Sequence, residues 1–127
     1  MNNKSENWLK IARYDLRAAE VAFQNKLYLK VYESSHNALE KLLKGIISSH
    51  GEQPAKIHDL MRLMSQARIE NLQSDIKEIL DELNTLYYST RYPEDFDSLH
   101  SDISEDKTAL VLKETRRIFS WLEKKLN

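Results

Sequence analysis

The sequence predicts an all-α fold, an antiparallel up-and-down four-helix bundle with one extra short helix. Three observations lead there. The 127 residues hold only two glycines and two prolines, too few turn formers for a set of hairpins. Apolar residues recur at three- and four-residue steps over long segments, the period of a helix with one buried face. The connections between those segments are short, which favours antiparallel neighbours. The length suits one domain spanning residues 1–127, enough chain to close a single core.

The first helix is expected from Asn3–Ser5 to about Asn25, with Asn3 and Glu6 at capping-box spacing. Its apolar stripe comprises Trp8, Ile11, Ala12, Leu16, Ala19, Ala22 and Phe23. A tight connection at Gln24-Asn25-Lys26 leads to a second helix from about Leu27 to Ser49. Gly51 then suits the left-handed residue after a helix end, and Pro54 lies just beyond. The apolar residues of this second helix, from Tyr28 to Ile47, cover an arc of about 200°, against the roughly 100° of a surface helix. Such a helix is either central in the bundle or half core and half dimer interface.

A short helix follows over His58 to about Ala67, with Leu60, Leu63 and Met64 facing inward. The next begins near Asn71–Asp75 and runs to about Tyr88, carried by Leu72, Ile76, Ile79, Leu80, Leu83, Leu86 and Tyr87. Pro93 turns the chain out near Arg91-Tyr92, because the residue before a proline is pushed from helical geometry. The acidic stretch from Pro93 to Ser104 reads as an exposed loop. The last helix, capped by Asp102 or Ser104, contains Leu110, Val111, Ile118, Trp121, Leu122 and Leu126.

Composition narrows the functional classes. The net charge is −1, so a nucleic-acid role would rest on a local patch rather than on the field of the whole molecule. No cysteine is present, which excludes disulfides, thiol nucleophiles and thiolate metal sites. The N-terminal segment lacks an apolar signal core, and no run of about 18 apolar residues could span a bilayer. A cytoplasmic location without membrane attachment is expected.

The most distinctive string is Leu86-Tyr87-Tyr88-Ser89-Thr90-Arg91-Tyr92-Pro93. An arginine at a helix end can offer its planar fork of donors to a phosphate or carboxylate, and Tyr88 and Tyr92 add stacking faces and hydroxyls. The plainer alternative has Arg91 binding a carboxylate of the bundle while the tyrosines pack. His36, Glu40 and Lys44 follow one another at four-residue steps; they either line a cleft or form an intrahelical ladder worth roughly 0.3 kcal/mol. Glu33 and His36 make one Glu-x-x-His pair, whereas di-iron bundles use two such pairs and two further glutamates. No metal or other cofactor is therefore expected. His58-Asp59 either caps the short helix or serves the site.

Four pieces in this order resemble the HEPN family of small helical proteins. They are Trp8 with Ala12-Arg13-Tyr14-Asp15-Leu16; Ala38-Leu39-Glu40-Lys41-Leu42-Leu43-Lys44-Gly45; His58-Asp59-Leu60 with Leu63; and Tyr88-Ser89-Thr90-Arg91-Tyr92-Pro93. The resemblance covers nearly the whole chain. It implies a homodimer, a minimal nucleotidyltransferase as partner, and nucleotide or RNA as ligand; in related pairs the two proteins form toxin and antitoxin. Ribonuclease members of the family carry an arginine followed, after four to six residues, by a histidine. The motif maps onto Arg91, but the positions where the histidine would stand hold Phe96, Asp97 and Ser98. His100 is the nearest candidate, eight residues intervening. The expectation is thus a binding or interaction module for a nucleotide or RNA-like anion, using Arg91, Tyr92, Tyr88, Glu40, Lys44, His36 and His58. The alternative is a ribonuclease toxin with an irregular site, Arg91 and His100 being its catalytic pair, or His58 or His36 standing in for the latter.

Overall fold

The computed structural model describes residues 2–91 and 96–126. Among them are six helices and no strand: α1 (Asn3–Gln24), α2 (Tyr28–Ser49), α3 (Leu60–Gln66), α4 (Ser74–Ser89), α5 (Phe96–Ser101) and α6 (Glu105–Glu123). Four are long and two are short, one more short helix than expected. The addition is α5, which occupies part of the stretch read as an exposed loop; it buries none of its residues. Tyr92 and the Pro93 turn lie outside the described residues.

The caps differ in detail from the sequence reading. Asn2, not Asn3, caps α1, accepting from the Ser5 amide at 2.9 Å while the Ser5 hydroxyl accepts from the Asn2 amide at 2.9 Å. The Asn2 side chain also donates to the Ser48 carbonyl at 2.9 Å, tying the start of α1 to the end of α2. Ser104 caps α6. Three helix ends close through a left-handed residue: Lys26 (φ 60°), Gly51 (φ 79°) and Arg68 (φ 64°). In each, the next amide reaches back to a carbonyl of the last turn: Leu27 to Ala22, Glu52 to Ile47, and Ile69 to Met64. The expectation at Gly51 matches, and this glycine-poor chain makes the same turn with lysine and arginine elsewhere.

The wide apolar arc of α2 is filled within one chain. This helix packs along α1 and also meets α3, α4 and α6, so that Val31, Tyr32, Leu39, Leu42, Leu43, Ile46 and Ile47 are all buried. Close approach to α1 occurs at Gly45, where an added Cβ would stand 3.1 Å from the Trp8 Cβ. The buried face of α1 is rotated from the expected stripe: Ser5, Leu9, Ala12, Ala19 and Ala22 are inside, Trp8 is half-buried and Ile11 is 44% exposed. Leu110 of α6 is exposed. No described helix is long and apolar enough to cross a membrane.

Candidate functional site

Four-residue steps put His36, Glu40 and Lys44 on one face of α2, and that face points inward. The three residues are 0%, 2% and 8% exposed, so what could have been a solvated ladder is a buried polar column. A buried carboxylate needs partners to offset its lost hydration, and Glu40 has three groups around it. Lys44 Nζ donates to Oε2 at 3.1 Å, His58 Nδ1 lies 3.1 and 3.2 Å from the two oxygens, and His36 Nδ1 stands 3.7 Å from Oε1. Burial pushes the Glu40 carboxyl up, but the hydrogen bonds and charges of Lys44 and His58 outweigh it and hold the group below its ordinary value. An ionised carboxylate only accepts, so His58 Nδ1 is the donor.

His58 precedes α3 instead of opening it. Asp59 is the N-cap, its side chain accepting from the amides of Met61 (2.9 Å) and Arg62 (3.3 Å). Asn84 on α4 locks this corner: its Nδ2 donates to Asp59 at 3.2 Å, and its Oδ1 accepts from the Leu60 amide at 3.1 Å. Those two bonds fix the orientation of the amide. The contact of His36 Nε2 with Asn84 Oδ1, 3.2 Å, therefore requires a proton on Nε2. His36 Nδ1 is left with a lone pair, no hydrogen-bond partner and a carboxylate nearby. Burial, only partly opposed by Glu40 and Asn84, lowers His36 to about 4, so the ring is neutral at pH 7.

Tyr87 joins the buried column to the surface. Its ring stacks on His36 (centroids 4.0 Å, planes 18° apart) and meets His58 at 5.4 Å. The guanidinium of Arg91, one turn further along the chain, lies over the same ring at 4.0 Å, and the exposed Tyr88 stands edge-on to Tyr87 at 5.6 Å. Burial raises the Tyr87 phenol, with Arg91 opposing; the ring is a neutral platform. Arg91 is exposed, and the side chain of His58 is 53% exposed.

The fold thus brings together His36, Glu40, Lys44, His58, Tyr88 and Arg91 from the sequence candidates. His100 is placed differently: it is on α5, its ring stacked with Phe96 at 5.6 Å. It borders a groove of about 250 Å³ with Phe96 and residues 26–30. Two members escaped the sequence reading. Tyr87 fits the apolar pattern of α4 and Asn84 falls outside it, although Asn84, Tyr87 and Arg91 stand at i, i+3 and i+7, the spacing of one helix face. Three cations of α6 are engaged at the surface, Lys107 with Glu82, Arg116 with Glu20, and Arg117 with Glu114 and Asp75. Among the described residues no cluster of His, Cys, Asp and Glu could hold a metal ion.

These features define a helical bundle built round a central helix, with a buried His-Glu-Lys column that reaches the surface beside an exposed arginine. The HEPN domain model matches residues 5–125; the chain belongs to the HEPN family. Its fold is similar to the crystal structure of TT1696 from Thermus thermophilus, with TM-score 0.83 and 24% identity over 98% of this chain and 100% of that one. It is also similar to ST0689, described as an archaeal HEPN homologue, with TM-score 0.75 and 20% identity over 99% of this chain and 100% of that one. No curated protein matches the sequence.

Proposed function

We propose that this chain is a homodimeric HEPN binding module that accepts a nucleotide or RNA-like anion and works beside a minimal nucleotidyltransferase. Arg91 and His58 would meet the anion, and Tyr88 and Tyr92 would offer stacking faces. Glu40, Lys44 and His36 would hold the site from behind. One observation carries this reading. The Arg91 guanidinium is exposed, rests on the Tyr87 ring, and forms no ion pair with any carboxylate of the described residues. An arginine held over an aromatic ring and not paired with a carboxylate keeps guanidinium donors available to a phosphate. Family membership supports the nucleotidyltransferase partner and the dimer.

Titration of the protein with ATP and with a short fluorescent RNA at low salt tests the proposal. Saturable binding that Arg91→Ala removes is expected; absence of binding to either ligand contradicts it, leaving a protein-interaction role.

A second reading, a ribonuclease toxin of a toxin-antitoxin pair with an irregular Arg/His site, has its own support. His58 and Arg91 share contact with one tyrosine ring. Chain order nominates His100 as the histidine; packing nominates His58.

A further inference from the structure

A second concavity lies where the start of α1 meets the end of α2, and none of its lining residues belongs to the Arg91 face. Its volume is about 360 Å³, enclosed by the first turns of α1, by Ser48 of α2, and by Gln53 and Pro54 of the connection to α3. The walls are tied to one another. Asn2 links the start of α1 to the Ser48 carbonyl at 2.9 Å. Gln66 of α3 fixes the connection, its Nε2 donating to the Gln53 carbonyl at 3.0 Å and its Oε1 accepting from the Ala55 amide at 2.9 Å. Gly45 lets Trp8 sit close against α2, and Lys44 Nζ stands 5.9 Å from the centroid of the Trp8 ring. A concavity of this size, with fixed and largely apolar walls, suits a small molecule.

The lining is chemically selective. Trp8, Ile11 and Pro54 supply apolar surface, and Ile11 is 44% exposed. Lys4 and Asn7, one helical turn apart, share an edge of the groove. Among the described residues no acid lines it, and Lys4 forms no ion pair with any of them. Ser48 is 4% exposed, and its hydroxyl has no hydrogen-bond partner. A buried donor left unpaired is costly, and an acceptor atom entering the groove would relieve that cost.

We propose that this groove binds a small heteroaromatic carboxylate. The planar ring lies against Trp8, Ile11 and Pro54, a ring heteroatom accepts from the Ser48 hydroxyl, and the carboxylate meets Lys4 and Asn7. The apolar walls select a flat ring, the cation with no acid beside it selects an anion, and the unpaired hydroxyl selects an acceptor within the ring. No residue is shared with the Arg91 face, so the proposal does not rest on the binding of RNA there.

Titration of the full chain with the quinolinecarboxylate isomers and with the naphthoates tests it, followed by NMR of the two tryptophan indole N–H groups. Trp121→Phe tells the two signals apart. The Trp8 signal should shift saturably, with a Kd of about 1 mM or below for ligands of this size, while that of Trp121, beside Lys125, stays still. Lys4→Ala should weaken both kinds of acid about threefold. Ser48→Ala should weaken the best-bound quinoline acid about fivefold and leave the naphthoates unchanged. It should not lower the melting temperature of the free protein, because it deletes an unpaired donor. Equal shifts of both indoles, no shift of either, or affinities that ignore Lys4→Ala or Ser48→Ala overturn the proposal. Equal binding of neutral N-acetylphenylalaninamide also overturns it and gives the groove to a protein side chain. A Trp8 signal that depends on protein concentration overturns it in favour of a second copy.

Discussion

Both carboxylate oxygens of Glu40 lie within hydrogen-bond distance of His58 Nδ1, at 3.1 and 3.2 Å, although 18 residues separate the two in the chain. The contact joins the central helix to the connection that precedes α3. It couples the stability of the core to the geometry of the exposed face.

Lys44 is the first test of that coupling. It is 8% exposed and donates to Glu40 at 3.1 Å, so Lys44→Met leaves a buried carboxylate without its lysine partner. Loss of one partner of a buried pair costs about 3 kcal/mol. Urea denaturation at pH 7 should show a loss of that order, whereas Lys41→Met, on the half-exposed pair with Asp15 at 3.9 Å, should cost less than about 1 kcal/mol.

His36 should make the fold acid-sensitive. Its folded value, about 4, lies below the ordinary 6.5, so between those pH values the unfolded chain binds a proton that the folded chain refuses. Stability therefore falls as pH drops from 6.5 towards 4, by at most about 3 kcal/mol from this group. Glu40, held low in the folded state, contributes stability that is present above its unfolded value of 4.5 and is lost as pH falls through its folded one. Denaturation series at several pH values should show a slope in the upper window that His36→Gln flattens.

Lys26 offers a gain. Its φ of 60° is a conformation that costs a side-chain-bearing residue roughly 1 kcal/mol, and its exposed side chain makes no hydrogen bond among the described residues. Lys26→Gly should raise stability by about 0.5 kcal/mol once the greater freedom of the unfolded glycine is set against the relieved strain. An unchanged or lower melting temperature would contradict strain at that turn.

Gly45 should tolerate nothing large. With the Trp8 Cβ 3.1 Å from an added Cβ and the Ser5 carbonyl at 3.5 Å, Gly45→Leu must push α1 off α2. A cost of about 2 kcal/mol or more is expected, read from thermal or urea unfolding.

Much of this was legible in the residues. Sustained apolar periodicity located α1, α2, α4 and α6, because a long amphipathic face leaves few other folds open. The helix α5 was not legible: Phe96 and Leu99 are its only large apolar residues, too few to set a period within an acidic stretch. The column of His36, Glu40 and Lys44 was visible as spacing but not as burial. A helical wheel assigns charges to solvent, and only tertiary contact supplies His58 and Asn84 as the partners that let them sit inside. The polar spacing of Asn84, Tyr87 and Arg91 could have been read in advance, but Tyr87 also satisfied the apolar pattern of α4. Its second task, as the ring that carries Arg91, was hidden by the first.

The salt dependence of RNA binding tests the availability of Arg91 most directly. Each phosphate contact to single-stranded RNA contributes about −0.7 to the slope of log K against log salt. Arg91→Ala should bind at least about tenfold more weakly at low salt, a loss of about 1.4 kcal/mol, with a slope shallower by about one contact. Superimposable curves for wild type and Arg91→Ala would contradict an anion site at this guanidinium and direct attention to another surface.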